Sequence, residues 1–277
     1  MTRVVAIEDA DDPRIALFRE VRERDVIGRR GGFIAEGEVV LRVLARSRLH
    51  RPRSVLVAAK RVTSLSPILS AFSKDVDIFA AGQEVMDAIA GFPIHRGILA
   101  FAERGPPASA GDLLAGIEGP AIVVALFGVS NHDNIGGVFR NAAAFGAAAV
   151  LLDGACCDPL YRKAIRVSVG GSLVVPFARL RPEEDALELV ERHGFSVLAL
   201  SPGGAKPLAE LAVPPRAAIL LGSEGAGLSP ALLARARTIA IPMADRFDSL
   251  NLATTSGIVL NHLADYGRAT GQRRDRR

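Results

Sequence analysis

The sequence predicts an α/β protein: a parallel sheet with helices on both faces, preceded by a small α/β domain. Apolar residues make up 49% of the chain and charged residues 23%, a composition typical of a globular protein with a buried core. In the second half, short and nearly continuous apolar runs alternate with helical patterns, and such runs are typical of strands buried on both faces. The first hundred residues show a weaker alternation of the same kind.

The second half contains the clearer pattern. Its apolar runs predict strands at 121–127, 148–152, 196–200, 217–221 and 238–242. Its helical patterns lie at 136–145, 183–193, 230–236 and 249–266. Strands that alternate with helices favour a parallel sheet covered on both sides.

The first half predicts a separate small unit. Its expected elements are strands at 32–35, 54–58, 76–79 and 98–102, and a helix at 37–49. Because 103–120 is rich in Gly, Pro and Ala, we place a linker there. The predicted domains are therefore 1–105 and 119–277, joined by the linker 106–118. The second domain ends in a basic tail, 271–277.

Composition also limits the function. The formal charge is +4, and only four of the 34 basic residues are lysines, so arginine dominates. Arginine suits bidentate phosphate contacts, so one interpretation is a nucleic-acid partner. The alternative is a protein whose surface is simply rich in arginine. Cys156 and Cys157 are adjacent and lack the spacing of a zinc site or a disulfide framework. We expect no metal, no membrane span and a cytoplasmic location.

The first motif is NHDNIGGVFRNAAAFGAAAVLL, residues 131–152. It follows a strand and runs into a helix for which Asn134 is a natural N-cap and Gly146 a natural C-cap. Arg140 lies in this helix among small residues that would let a ligand or RNA approach. The structural alternative is an ordinary exposed helix arginine.

The second motif is AILLGSEGAGLSP, residues 218–230. A buried strand feeds a glycine-rich turn, and the next helix starts at Ser229 and Pro230. Open α/β sheets bind ligands at the carboxyl ends of their strands, so this turn is a candidate site. The glycines partly mimic a dinucleotide loop, but the charge of Glu224 would repel a pyrophosphate.

The third motif is IPMADRFDSLNLATTSGIVLNHLADYG, residues 241–267. Asp248 or Ser249 is placed to cap a helix whose first turns hold mostly poor helix formers. A purely structural helix would favour Ala, Leu or Glu there. The poor helix formers in the first turns of this helix therefore indicate a functional site.

Taken in this order, NIGGVFRNAAAFG, LLGSEGAGL and IPM…DSLNLATTSGIVL resemble the three motifs of the SpoU/TrmH family of S-adenosylmethionine-dependent RNA 2′-O-ribose methyltransferases, part of the SPOUT superfamily. The resemblance covers 119–266. In the first half, FIAEGEVVLRVL and HRGILAF resemble, more loosely, the ribosomal-protein-like RNA-binding domain of many members. The family implies a C-terminal trefoil knot and a homodimer.

The resemblance also implies roles for particular residues. Cofactor contacts fall on Leu200, Gly222, Ile241, Met243, Leu250 and Ala253. Catalytic roles fall on Asn134, Arg140, Glu224, Ser249 and Asn251. The family's arginine has been proposed as a general base, but a guanidinium is effectively never deprotonated in a protein. We expect Arg140 to hold the neighbouring phosphate and to stabilise the alkoxide that develops, while the proton leaves to phosphate or water.

Three functions stay open at this point. The first is an RNA 2′-O-methyltransferase acting on ribosomal RNA, which the small domain favours, or on transfer RNA. The second is a dinucleotide-dependent oxidoreductase that uses the glycine turn. The third is a noncatalytic RNA-binding module of the same fold, against which the joint presence of Arg140, Glu224, Ser249 and Asn251 weighs.

Overall fold

The computed structural model describes residues 3–19, 31–90, 97–245 and 249–271. Its chain divides into two compact units, one of 1–106 with 160–174 and the other of 107–159 with 175–277. Within the described part of the chain, every helix is too short or too polar to cross a membrane. Asp248 and most of the basic tail lie outside the described residues.

The first unit is built on a five-stranded mixed sheet. Its strands are β1 Val4–Ile7, β2 Gly32–Glu36, β3 Arg51–Ala58, β4 Asp77–Ala81 and β5 Ile98–Glu103. They lie in the order β1-β4-β3-β5-β2, with β5 antiparallel to β2 and β3 and the other pairs parallel. The four predicted strands are confirmed, and β1 is an addition.

The described residues of the first unit form four α-helices. They are α1 Glu38–Leu44, α2 Val62–Leu69, α3 Gln83–Ala90 and, from the second half of the sequence, α6 Arg162–Val167. Helix α1 ends five residues before the predicted position 49. Beyond it the chain turns, and the Ser47 hydroxyl donates to the carbonyl of Leu173, far away in the sequence, at 3.0 Å.

The second unit is built on a seven-stranded sheet in which all pairs are parallel. Its strands are β6 Ala121–Leu126, β7 Ala149–Leu152, β8 Phe177–Arg179, β9 Ser196–Leu200, β10 Lys206–Pro207, β11 Arg216–Leu221 and β12 Arg237–Ala240. They lie in the order β10-β12-β9-β11-β6-β7-β8. The predicted parallel sheet is confirmed, whereas the trefoil knot stays a prediction from the resemblance.

Five helices flank this sheet. They are α4 Ala110–Ala115, α5 His132–Phe145, α7 Ala186–Arg192, α8 Pro230–Arg235 and α9 Leu252–Gly271. Helix α4 lies within the range predicted as linker. Ser109 caps it by accepting from the Asp112 amide at 3.0 Å, and Ala110 and Leu114 are buried in the core of this unit. These apolar contacts outweigh the Gly- and Pro-rich composition of the segment.

Strand register positions the functional edge of the second unit. Leu126 of β6 pairs with Leu221 of β11, and Leu200 of β9 pairs with Ile239 of β12. Because all these strands are parallel, the loops that follow them emerge at one edge of the sheet, where open α/β sheets bind ligands. Fully buried strand residues such as Val124 and Ile219 hold this edge in place, each contributing about 1.5–3 kcal/mol.

Candidate active site

A cleft of about 470 Å³ opens at the carboxyl edge of the parallel sheet. The loops after β9, β11 and β12 and the start of α9 form its walls. Five of the six predicted cofactor contacts line it: Leu200, Gly222, Ile241, Met243 and Leu250. Glu224 and Ser249, predicted as catalytic, line the same cleft. Residues from three separate stretches of sequence therefore meet in one depression.

The glycine-rich turn after β11 is folded tightly on itself. Ser223 and Gly227 form an isolated antiparallel bridge, and Gly227 has a positive φ of 65°. A Cβ added at Gly222 would lie 2.1 Å from the carbonyl carbon of Gly227. Glycine at position 222 is thus required by the close approach of two backbone segments at the cleft floor.

Ala253, the sixth predicted cofactor contact, lies outside the cleft lining. It packs against α5 so closely that a Cβ added at Gly137 would lie 2.3 Å from the Ala253 Cβ. Its carbonyl accepts a hydrogen bond from Asn141 at 2.6 Å. The small residues at the start of α9 therefore bring two helices together, in addition to shaping the cleft.

The first and third motifs meet through two asparagines. Asn251 donates from Nδ2 to Oδ1 of Asn134 at 2.8 Å. The prediction that Asn134 caps α5 is wrong: Asn131 is the N-cap and accepts from the Asp133 amide at 2.8 Å, while Asn134 is buried in the first turn. Asn134 is thus available to hold Asn251, whereas the predicted C-cap at Gly146 is confirmed, with φ 72°.

The start of α9 also differs from expectation. The helix begins at Leu252, later than the predicted position 249. The Asn251 side chain accepts from the amides of Ala253 and Thr254 at 2.9 and 3.3 Å. Asn251 therefore caps α9 through Oδ1 while its Nδ2 reaches α5.

Asn141 is a residue that sequence reasoning missed. Its Nδ2 donates to the Ala253 carbonyl and, at 2.9 Å, to the Ser256 hydroxyl. A Cβ at Gly257 would approach this amide to 3.2 Å. Asn141 thus fixes α5, the helix that carries Arg140, against the first turn of α9. Its position next to Arg140 in the motif was the only available signal.

Arg140 and Glu224 differ from the three asparagines in that their side chains are not bonded to other described residues. Both side chains are exposed, and neither forms a hydrogen bond or an ion pair within the described residues. Other arginines of the second unit are committed to the fold: Arg216 donates to the carbonyls of Ile117, Gly119 and His193. The guanidinium of Arg140 and the carboxylate of Glu224 thus remain available for a ligand.

The two cysteines follow β7 at the same edge. Burial raises the pKa of Cys156 to about 12 and that of Cys157 to about 11. Cys156 also donates from Sγ to the Leu126 carbonyl at 3.3 Å. Both thiols are therefore protonated near neutral pH and poorly suited to act as nucleophiles. Among the described residues, no group of three or more His, Cys, Asp or Glu side chains is placed to hold a metal ion.

A second depression of about 420 Å³ lies beyond the ends of β7 and β8. Its polar groups are already bonded within the unit. Asp153 accepts the Gly128 amide, Glu184 pairs with Arg181, and Asp185 pairs with Arg235. The first cleft, with its uncommitted groups, is the better candidate site.

Fold and cleft together define an α/β ligand-binding protein with its site at the carboxyl edge of a parallel sheet. The model of the SpoU rRNA methylase family matches residues 121–261. An uncharacterised tRNA/rRNA methyltransferase of Mycobacterium bovis is 37% identical over 259 residues, covering 90% of this chain and 88% of the relative. A protein of the same description from Mycobacterium avium is 31% identical, with coverage of 68% and 62%.

Solved structures share the architecture. The AdoMet-bound rRNA methyltransferase from Sinorhizobium meliloti superposes with a TM-score of 0.75 at 24% identity, covering 95% of this chain and 98% of the other. The AdoMet complex of the SpoU methyltransferase AviRb from Streptomyces viridochromogenes gives 0.76 at 20% identity, with coverage of 92% and 98%. At these identities the likeness concerns the fold. On its family match and its mycobacterial relative, the chain belongs to the SpoU rRNA methylase family and is an RNA methyltransferase.

Proposed function

We propose that the protein transfers a methyl group from S-adenosylmethionine to a ribose 2′-hydroxyl in structured ribosomal RNA. The observation that carries this proposal is the convergence of the three motifs. Asn251 joins Asn134 at 2.8 Å, beside a cleft lined by Gly222, Glu224 and Leu250. Groups suited to hold a cofactor thus adjoin the helix that carries Arg140.

The cleft fits S-adenosylmethionine in size and chemistry. Its volume of about 470 Å³ lies in the usual range for small-molecule sites. Leu200, Ile241 and Leu250 offer apolar surface for an adenine ring, and Leu250 is 42% exposed. The Glu224 carboxylate is suited to the cofactor's cationic groups, whereas it would repel the pyrophosphate of a dinucleotide. When bound, S-adenosylmethionine supplies a methyl group on a cationic sulfur.

Arg140 is proposed to bind the RNA. Its exposed guanidinium has no partner within the described residues and can hold a phosphate next to the target nucleotide in bidentate fashion. Its fixed positive charge stabilises the 2′-oxygen as negative charge develops there. Because the guanidinium stays protonated, the hydroxyl proton passes to phosphate or water.

The remaining polar residues are proposed to orient these groups. Asn134 and Asn251 hold α5 to the start of α9. Ser249 lies at the cleft, next to Leu250, where it can orient the ribose or the loop. Alignment of the 2′-oxygen with the methyl carbon is the main requirement of an in-line displacement, and positioning contributes about 7–11 kcal/mol in well-oriented reactions.

Two experiments test the proposal. Calorimetric titration with S-adenosylmethionine and, separately, with NADH should show binding of the first alone. The protein should then transfer a labelled methyl group to deproteinised ribosomal RNA in preference to transfer RNA. A methyl group on the 2′-oxygen blocks alkaline cleavage at that nucleotide, so the label should appear in alkali-resistant dinucleotides.

Each alternative has its own result in these experiments. Label in alkali-sensitive mononucleotides would contradict ribose methylation. Preferential methylation of transfer RNA would mean that transfer RNA, and not ribosomal RNA, is the substrate. Binding of NADH would favour an oxidoreductase. RNA binding without methyl transfer would favour the noncatalytic module.

We further propose that the protein acts as a homodimer and that 1–105 is an RNA-binding domain, joined through 106–118 to the methyltransferase domain 119–277. The family resemblance supports the dimer, and the separate five-stranded sheet supports the domain. Light scattering on the purified chain should give twice the monomer mass of 29.2 kDa. A monomer at micromolar concentration would contradict the dimer.

A further inference from the structure

Two groups of arginines are distinguished among the described residues of the first unit. In the larger group each guanidinium faces a carboxylate: Arg14–Asp12, Arg19–Asp11, Arg42–Glu38, Arg53–Glu103, Arg61–Glu38 and Arg166–Glu36. Each of these cations is therefore at least partly balanced, with Glu38 shared by Arg42 and Arg61. They have little charge left to attract an anionic partner.

The second group lies in one turn. We call residues 46–51, between α1 and β3, the basic turn. Arg46 and Arg48 are exposed, and within the described residues neither side chain forms a hydrogen bond or an ion pair. Arg51 is exposed too, and its charge helps to lower the pKa of nearby Asp75 and Glu103, so it is partly balanced. Arg46 and Arg48 are therefore the uncompensated cations of the turn.

The basic turn is held firmly. The Ser47 hydroxyl donates to the Leu173 carbonyl at 3.0 Å and accepts the Leu49 amide at 3.3 Å. A Cβ at Gly105 would lie 2.1 Å from the Leu49 carbonyl oxygen, so the chain after β5 is closely packed on the turn. A turn fixed in this way presents its arginines with little ordering cost on binding.

Strand direction adds further positive charge at this end of the sheet. Strands β1, β3 and β4 are parallel, so their amino ends lie together. Arg3 precedes β1 and Lys74 precedes β4, and both are exposed. Among the described residues, the carboxylates at this end are Asp75, Asp77 and Glu103, of which Glu103 is paired with Arg53. Positive charge therefore exceeds negative charge around the basic turn.

We propose that the basic turn is a docking surface for the phosphate backbone of the RNA substrate, with Arg46 and Arg48 as its phosphate contacts. This inference rests on the proposed function, which supplies an RNA partner. Charge complementarity identifies the occupant, because two neighbouring unpaired guanidinium groups match successive phosphates of a nucleic acid. Contacts of this kind position RNA without reading its sequence.

The test compares two double variants of the full chain. The first, Arg46→Gln with Arg48→Gln, removes the unpaired cations. The matched control, Arg14→Gln with Arg42→Gln, removes two arginines of the same unit that face carboxylates. Both variants lower the net charge by the same amount. Affinity for deproteinised ribosomal RNA is measured by filter binding from about 50 to about 200 mM KCl.

Loss of two phosphate contacts should flatten the slope of log K against log salt by about 1.4 to 1.8. The variant should thus lose about ten-fold less affinity than the wild type over this salt range. The control should keep the wild-type slope. Binding of S-adenosylmethionine should be unchanged in both variants.

Three results would overturn the proposal: a wild-type slope in the first variant, equal flattening in both variants, or no RNA binding by the wild type. A surface that serves an acidic protein instead would give the first of these. Failure of the proposed function is detected separately, as RNA binding without an alkali-resistant methylated product.

Discussion

The cleft and the α5–α9 contact beside it treat their polar groups in opposite ways. At the contact, Asn134, Asn141 and Asn251 all form hydrogen bonds inside the protein. By contrast, the side chains of Arg140, on α5, and of Glu224, which lines the cleft, are exposed and form none within the described residues. Both sets of residues lie in the second unit. We therefore attribute the difference in hydrogen bonding to the different roles of these side chains.

The comparison separates positioning from chemistry. A side chain bonded within the fold has its geometry set before any ligand arrives. A side chain that forms no bond within the described residues can direct all its hydrogen bonds and its charge to substrate or cofactor. Substitutions of the bonded asparagines should therefore affect stability and activity together, while substitutions of Arg140 and Glu224 should affect activity alone.

The largest effect is expected at Arg140. Arg140→Ala should lower kcat by about 10²–10³, the usual cost of removing a group that stabilises developing charge. The free energy of unfolding should change by less than about 0.5 kcal/mol, since the side chain is exposed and forms no bond within the described residues. Methyl-transfer kinetics and denaturant titration measure the two quantities.

Arg216→Ala is the matched control and should behave in the opposite way. Its guanidinium donates to three carbonyls and lies 4.1 Å from the Phe195 ring centre. Its loss should destabilise the protein by about 1–3 kcal/mol while kcat per folded molecule stays close to wild type. A stability loss in the Arg140 variant would break the comparison.

The next effect is expected at the cleft floor. Gly222→Ala places a methyl group 2.1 Å from a backbone carbon, so the turn must shift. We expect at least about a ten-fold loss of S-adenosylmethionine affinity and about 1–3 kcal/mol of destabilisation. Gly203→Ala is the control, because a Cβ there meets nothing within 4 Å and Gly203 lies outside the cleft lining. Calorimetric titration should separate them, and equal affinity in both variants would contradict the assignment of the floor.

Asn141→Ala tests the positioning region. Loss of its two hydrogen bonds should destabilise the protein by about 1–2 kcal/mol. It should also lower kcat by about ten-fold, because α5 is no longer fixed. Asn261→Ala, an exposed asparagine on α9, should change neither quantity.

A double variant sharpens this test. If Asn141 acts by positioning Arg140, adding Asn141→Ala to Arg140→Ala should lower kcat no further. Fully multiplicative losses in kcat would show that Asn141 acts independently of Arg140.

Much of the fold followed from local pattern. Apolar runs predicted the central strands of the parallel sheet, because strands buried on both faces need no alternation. Shorter strands such as Phe177–Arg179 and Lys206–Pro207 carry too few residues for a pattern. The helix Ala110–Ala115 was hidden by a composition typical of a linker, since its stability comes from tertiary burial.

The site was predictable in part, for a similar reason. Most residues that line the cleft lie in the second and third motifs, whereas Leu200 and Leu233 lie outside them. The cap of α5 was misassigned because Asn131 and Asn134 are equally good caps by type, and only the observed turn selects between them. Asn141 was missed because its partner Ala253 is 112 residues away, and hydrogen bonds over that distance leave no mark in one sequence.

The smallest effect is expected at the two cysteines, which belong with the internally bonded region. Cys156 accepts the Val129 amide at 3.4 Å, joining the loop after β7 to the loop that leads into α5. Burial raises the pKa of Cys156 to about 12 and that of Cys157 to about 11. Both thiols should therefore resist iodoacetamide in the native protein at about pH 8. Mass spectrometry should find both modified only after unfolding.

The pH dependence follows from the same values. Because the folded pKa exceeds that of an unfolded thiol, about 8.5, these groups contribute their full stability below about pH 8.5 and lose it as the pH rises toward 11. The alkylation rate of the native protein should rise over that range, with Cys157 reacting first. Rapid labelling of Cys156 at about pH 8 would mean that the loop leading into α5 opens readily. Helix α5, which carries Arg140, would then be held less firmly than we propose.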